Sequence, residues 1–309
     1  MITIYKNTPT GLALFTEPIE GSWINVVNPN SDEVSRLQQI GFTSDYVTYP
    51  LDMDERPRTE RENGELFILL RIPYYQGETS DIPYTTIPLG IVITNQHIVT
   101  VCKSENGLLS EFSSGRIKDL STSKRNRFVL RLLLNTAAKY LTYMREISKA
   151  VDILEDRLQK STRNKEVLEL LKYQKSLTYF TTALKSNELM MEHLLKMGLF
   201  KMYPEDEDLL EDVLTENQQA IEMTLIESNI LSSMMDAFAS IISNNLNAVM
   251  KILASITIVL ALPTMAASFF GMNVHLPFEA HPAAFLIILA ISFVISLATV
   301  YIFYKRDWF

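Results

Sequence analysis

Lys251-Ile252-Leu253-Ala254-Ser255-Ile256-Thr257-Ile258-Val259-Leu260-Ala261-Leu262-Pro263-Thr264-Met265-Ala266-Ala267-Ser268-Phe269-Phe270-Gly271 is the stretch on which the reading of this chain turns. Between Lys251 and Lys305 the only charged residue is Glu279, flanked by His275 and His281. That glutamate separates two apolar runs, Ile252–Phe270 and Ala283–Tyr304. Each has about 20 residues, enough at about 1.5 Å per residue to cross a hydrocarbon core of roughly 30 Å. A buried soluble helix hairpin is the competing reading, but two uncharged runs in succession fit the spanning pattern better. Residues 251–309 are therefore expected to form a transmembrane hairpin with a short loop at 271–282.

Working outward, lysine and arginine set the orientation. Lys251 precedes the first run, Lys305 and Arg306 follow the second, and the loop Gly271–Pro282 has neither residue type. By the positive-inside rule both termini face the cytoplasm and the loop faces out, with Tyr301, Tyr304, Trp308 and Phe309 as anchors at the inner interface. The first residues, Met1-Ile2-Thr3-Ile4-Tyr5-Lys6, show no apolar core of a secretory signal. Some 250 residues are thus expected in a reducing cytosol, consistent with Cys102 as the single cysteine. With 47% hydrophobic and 21% charged residues among 309, a disordered chain is excluded, and one cysteine excludes a disulfide scaffold. A net charge of −8 gives no footing for a nucleic-acid partner.

Residues 1–120 read as a small cytoplasmic α/β domain. Short β-rich runs occur at Ile2–Tyr5, Leu12–Phe15, Trp23–Val27, Leu66–Ile72, Thr85–Thr94 and Ile98–Lys103, punctuated by Gly, Pro and Asn. Asn30 with Glu33 three residues on is a helix start. Residues 121–250 read as long helices, because glycine is absent from Arg116 to Met197 and again from Leu199 to Phe270. Two helices are expected over Ser123–Gln159 and Asn164–Met197, with a break at Gly198–Pro204. One continuous stalk of about 66 residues, roughly 100 Å, then runs from Glu205 through the first apolar run.

Charge is segregated along these helices. Met202–Met250 holds ten acidic residues and no lysine or arginine, whereas Arg116–Lys185 holds sixteen basic and seven acidic residues. Two readings stay open together: the acidic stalk packs beside the basic helices, and acidic stalks gathered round an axis concentrate cations near the membrane. Steps of three and four from Asn247 give Asn247, Met250, Ala254, Thr257, Ala261, Thr264 and Ser268, a narrow stripe of small or polar residues apart from Met250. Such a stripe lines a water-bearing axis between copies of the helix, or serves close helix packing. Two spans cannot enclose a pore, so a pore requires several identical subunits around a cyclic axis.

At the outer end of the first run stands Phe269-Phe270-Gly271-Met272-Asn273. A Gly-Met-Asn tripeptide closing the penultimate span, with a short loop and one last span followed by basic residues, resembles the CorA family of divalent-cation transporters. Trp23-Ile24-Asn25-Val26-Val27-Asn28-Pro29, Asp54-Glu55-Arg56-Pro57-Arg58 and Asn247-Ala248-Val249-Met250-Lys251 extend the resemblance over essentially the whole chain. It implies an α+β cytoplasmic domain, long stalk helices and two C-terminal transmembrane helices in a funnel-shaped homopentamer. It also implies Mg²⁺ as cargo, a selectivity ring of Gly271, Met272 and Asn273, and an inner constriction at Asn247 and Met250. Many relatives have Tyr before the tripeptide and an acidic Met-Pro-Glu loop after it. This chain has Phe270 and Val274-His275-Leu276-Pro277-Phe278-Glu279, differences that bear on ion preference rather than on transport.

The residue types suit the cargo. Mg²⁺ demands octahedral oxygen and sheds water reluctantly, so neutral Asn273 amides suit a still-hydrated ion better than a stripping cage. No phosphate-binding loop or nucleophile–base spacing points to an enzyme or to ATP coupling. By resemblance, regulatory Mg²⁺ is held between subunits by carboxylates; Asp212, with Glu211 and Asp208 near it, is the matching position at the head of the stalk. Its partner is expected near Asp52 or Asp54. His275, Glu279 and His281 share the outer loop and could hold Zn²⁺ or Co²⁺, or be ordinary polar surface. Transport of Zn²⁺, Co²⁺ or Ni²⁺ within the same superfamily, and a non-conducting membrane-anchored cation sensor, are the alternatives to Mg²⁺ uptake.

Overall fold

The computed structural model describes all residues except 10, 63, 118–119, 161–163, 199–203, 273–281, 307 and 309. The chain divides into two compact units, Met1–Ser233 and Met234–Phe309.

The first unit is built on a mixed seven-stranded sheet. Its strands are β1 (Ile2–Thr8), β2 (Gly11–Phe15), β3 (Trp23–Val27), β4 (Arg58–Glu62), β5 (Glu65–Tyr75), β6 (Tyr84–Ile93) and β7 (Ile98–Cys102). They lie in the order β2-β1-β3-β7-β6-β5-β4. Only β3 and β7 pair in parallel among these neighbours, in a register that sets Ile24 beside Val99. The long runs of β5 and β6 are apolar on both faces because both faces are covered. Ile68, Leu70 and Ile72 join Trp23, Phe112, Phe128, Met190 and Val213 in one core. Phe67 and Leu69, pointing the other way by the two-residue period, join Leu37, Phe42, Tyr46 and Val99 in a second.

Six of the strands fall where the β-rich runs predict. β4 is the exception. Its sequence, Arg-Thr-Glu-Arg-Glu, carries no apolar signal because it is an edge strand, where charge discourages pairing with another chain. The short helix α1 (Ser31–Ile40) begins at a full capping box. Asn30 Oδ1 accepts from Glu33 N at 2.8 Å, and the Glu33 carboxylate accepts from Asn30 N at 3.0 Å. Two further short helices, α2 (Ser44–Thr48) and α3 (Gly107–Ser113), are not predicted. At five and seven residues they are too short to show a helical period.

The long helices run close to the expected limits: α4 is Arg125–Lys160, α5 is Asn164–Lys196 and α6 is Pro204–Phe270, 67 residues without interruption. Pro204 opens α6, a position where its missing N–H has no partner to lose. The acidic head of α6 meets the basic α4 directly, with Arg127 Nη1 2.8 Å from Glu205 Oε2 and Arg127 Nε 3.9 Å from the buried Asp206.

The second unit comprises α6 from Met234 onward and α7 (Ala284–Lys305). Both helices are long and apolar enough to cross a membrane. No residue of α7 is buried within the chain. The backbone N–H of Arg306 closes its last turn on Ile302 O at 3.1 Å, and the Trp308 ring stacks on Phe303 at 5.1 Å. Phe309 and most of the segment between Gly198 and Pro204 lie outside the described residues.

Candidate functional site

The stripe predicted on the first apolar run occupies one side of a continuous helix. Asn247, Met250, Ala254, Thr257, Ala261, Thr264 and Ser268 are all exposed in the single chain. At 100° per residue, the covered or half-covered positions Ser255, Val259, Leu262, Pro263 and Ala266 fall on roughly the opposite side. Pro263 shares a cavity there with Leu286, Leu289 and Phe293 of α7. The hairpin partner thus takes the far side of α6 from the stripe, whose inner end, at Asn247, Met250 and Ala254, shares a cavity with Trp308.

The polar atoms of the stripe have a defined polarity. Thr257 Oγ1 donates to Leu253 O at 2.8 Å, Thr264 Oγ1 to Leu260 O at 2.9 Å and Ser268 Oγ to Thr264 O at 2.8 Å. Each hydroxyl proton is engaged by the carbonyl one turn back, a common arrangement in apolar helices. The oxygen lone pairs remain available as acceptors. A cation's hydration water presents protons outward, so acceptors are what such a stripe needs to offer it.

The helix ends on Gly271, whose N–H donates to Ala267 O at 3.0 Å and Ser268 O at 3.2 Å. Gly271 does not occupy the left-handed region, and a Cβ there would meet those same two carbonyl oxygens at 3.5 and 3.6 Å, ordinary contact distances. Among the described residues nothing demands glycine at this position. Met272 is exposed. Asn273, the residue expected to supply amide oxygens, lies outside the described residues, as do His275, Glu279 and His281.

The candidate regulatory carboxylates sit on the first unit. Asp208, Glu211 and Asp212 are exposed on α6, and Asp52 and Asp54 are exposed on the turn that follows Tyr49–Leu51. Among the described residues no three His, Cys, Asp or Glu side chains converge on a metal-sized site. What the sequence did not reveal is how the Asp52–Asp54 turn is held. Arg71, on β5, donates from Nη1 to Met53 O at 2.9 Å and Glu55 O at 3.0 Å, while Nη2 and Nε reach Thr86 O and Oγ1 at 2.8 and 2.9 Å. Asp54 N donates to Asp52 Oδ1 at 3.0 Å. The one available signal was an arginine amid an otherwise apolar strand, which must find hydrogen-bond partners if it is to be buried.

A family model described as CorA-like Mg2+ transporter protein matches residues 20–306. The cobalt/magnesium transport protein CorA of Methanocaldococcus jannaschii is 28% identical over 298 residues, covering 93% of this chain and 90% of that protein. The protein of the same name from Thermotoga maritima is 24% identical, over 98% of this chain and 88% of its own length. The complete structure of the CorA magnesium transporter from Methanocaldococcus jannaschii superposes with a TM-score of 0.86 at 24% identity, covering 100% of this chain and 99% of that one. Soluble α/β unit, long helix and apolar hairpin are thus a shared fold, and the match runs the length of the chain. This chain belongs to the family of CorA-like Mg2+ transporter proteins.

Proposed function

We propose that identical copies of this chain, five by the family resemblance, surround an axis and conduct hydrated divalent cations, chiefly Mg²⁺, into the cytoplasm. The observation that carries this reading is the uncovered stripe from Asn247 to Ser268, which lies opposite the side of α6 taken by α7 and runs up to Gly271-Met272-Asn273. Such a side asks for lipid or for another copy, and three back-bonded hydroxyls with outward lone pairs suit water better than lipid. The relatives carry the name cobalt/magnesium transport protein, which supports Co²⁺ as a second cargo. The protein is a transporter and not an enzyme.

In this reading residues 1–120 are the cytoplasmic α/β domain, 121–250 the cytoplasmic helices and stalk, and 251–309 the hairpin in the cell membrane with both termini inside. Asn273 amides ring the outer mouth, Asn247 and Met250 narrow the inner one, and Ala254, Thr257, Ala261, Thr264 and Ser268 line the path between. Gly271 allows five chains to approach closely at the mouth. Neutral ligands hold a hydrated ion loosely enough to release it. No coupling site is required, because a potential of about 100 mV is worth about 4.6 kcal/mol to a divalent ion, more than a thousandfold in concentration.

Uptake driven this hard needs a brake. Mg²⁺ bridging Asp212, with Glu211 and Asp208, to Asp52 or Asp54 of an adjacent subunit supplies one, since facing carboxylates repel until a cation joins them. Arg71, holding the Asp52–Asp54 turn to the sheet, transmits that bridge to the folded core.

Purified protein in liposomes tests the reading. Wild type is expected to pass Mg²⁺ and Asn273→Ala to lose most of that flux; Zn²⁺ uptake without Mg²⁺ uptake would overturn the cargo, and no flux of any divalent ion would leave a sensor. Replacing Asp212 and Glu211 with Ala is expected to remove protection from proteolysis by Mg²⁺, and unchanged protection rejects the brake.

A further inference from the structure

Arg71 is gripped at its backbone as well as at its side chain. It lies past the end of β4, which pairs with β5 only as far as Arg58 beside Leu69. Its opposite number on β6 is Pro88, which has no N–H to give. A side chain from α5 stands in for the missing strand, because a carboxamide presents one donor and one acceptor side by side. Arg71 N donates to Asn187 Oδ1 at 2.9 Å, and Asn187 Nδ2 donates to Arg71 O at 2.8 Å. The Tyr140 hydroxyl of α4 donates to the same carbonyl at 3.0 Å. Asn187 is 2% exposed and Tyr140 is fully buried, so both have exchanged water for this one residue of the sheet.

The same two helices hold the head of α6. Arg127 of α4 pairs with Glu205, and Met190, Met191 and Leu194 of α5 share one core with Leu209, Leu210 and Val213. The Arg71 side chain meanwhile clasps Met53 O and Glu55 O. We propose that Asn187 is a positioning residue: with Tyr140 it makes the Asp52–Asp54 turn and the head of α6 move as one body, so that Mg²⁺ bound at one of them prepares the other. The inference rests on the reading that Mg²⁺ bridges these two regions between adjacent subunits. In a cyclic ring such contacts are heterologous, so each chain gives its turn to one neighbour and its α6 head to the other. A rigid hydrogen-bonded tie inside the chain then links successive bridges, and closure passes round the ring cooperatively. Without the tie each bridge forms alone.

The test is a Mg²⁺ titration of the full-length assembled protein, read as protection from proteolysis, with denaturant unfolding measured on each variant. Wild type is expected to show a Hill slope above unity. Asn187→Leu keeps the bulk and removes both amide groups; it should bring the slope to unity and raise the Mg²⁺ midpoint about fivefold, the lower end of usual coupling between sites. Tyr140→Phe removes one donor and leaves the ring, so it should lower the slope by less, and it carries the test if Asn187→Leu does not fold. Val26→Ala, in the core on the other face of the sheet, is expected to lower stability and leave the slope as in wild type. An unchanged slope in Tyr140→Phe and in any folded Asn187→Leu overturns the proposal, and so does an equal loss of slope in Val26→Ala. Protection of wild type with a slope of unity overturns the coupling alone. No Mg²⁺ protection of wild type, or protection that survives replacing Asp212 and Glu211 with Ala, overturns the brake and the coupling together.

Discussion

The two units of this chain treat the same side chains in opposite ways. In the first, Trp23, Ile68, Leu70 and Phe128 are fully buried against their own chain. In the second, Phe293 is 64% exposed and Phe285 75%, on a helix with no fully buried residue. A soluble fold cannot afford that second arrangement, because every exposed apolar residue forfeits its transfer free energy from water. The contrast teaches that the first unit buries its apolar side chains within itself, while the second leaves them to be covered from outside the chain.

The strongest way to break the comparison is to truncate an aromatic in each unit. Trp23 stacks on Tyr5 at 4.9 Å, meets Phe128 at 5.3 Å and donates from Nε1 to Thr100 Oγ1 at 2.8 Å. Trp23→Ala is expected to cost about 3–5 kcal/mol in denaturant unfolding of the full chain in micelles. Phe293→Ala should change the same measurement by less than about 1 kcal/mol, and equal losses would erase the distinction between the units.

Two glycines sharpen it further. A Cβ at Gly90 would lie 2.2 Å from Pro50 Cγ and 3.3 Å from Phe67, inside a sealed core, so Gly90→Ala should cost about 1–3 kcal/mol of stability. At Gly271 the same methyl fits among the described residues. Gly271→Ala is expected to leave stability unchanged and to depress Mg²⁺ flux in liposomes; unchanged flux would mean that copies do not converge there.

A smaller effect is expected from Thr264→Val, which keeps the shape of the stripe but removes an outward acceptor. Losing about 1 kcal/mol of interaction slows flux about fivefold, and flux equal to wild type would remove the hydroxyls from the path.

The mildest test is pH. Burial holds the His97 imidazole below its ordinary value of 6.5, with Nδ1 3.0 Å from Ser22 Oγ. The unfolded chain then takes up the proton first as pH falls, so His97 contributes stability above about pH 6.5 that drains away as pH drops toward the depressed folded value. His97→Gln should flatten that slope in the first unit, and an unchanged pH profile would show that the ring is not the cause.

Legibility followed the same division. The capping box at Asn30, the limits of α4, α5 and α6, and both apolar runs could be read because each rests on spacing within one stretch of chain. β4 could not, since an edge strand needs no apolar face, and α2 and α3 were too short for a period. Of the candidate site, the stripe was visible as residue types at steps of three and four. That α7 would cover the side opposite it was not visible, nor was the Arg71 clasp on the turn carrying Asp52 and Asp54, because both depend on partners distant in sequence.

By itself the sequence determined where the chain is helical, where it is apolar enough to cross a bilayer, and which residues repeat along one side of α6. These are local properties, governed by hydrophobic period, charge and glycine or proline placement. Tertiary structure decided the strand order, the parallel pairing of β3 with β7, the ion pair that fixes the head of α6 to Arg127, and which side of α6 remains open. Those are choices among partners, and a partner is selected by packing and hydrogen bonding in three dimensions, which no single stretch of residues encodes.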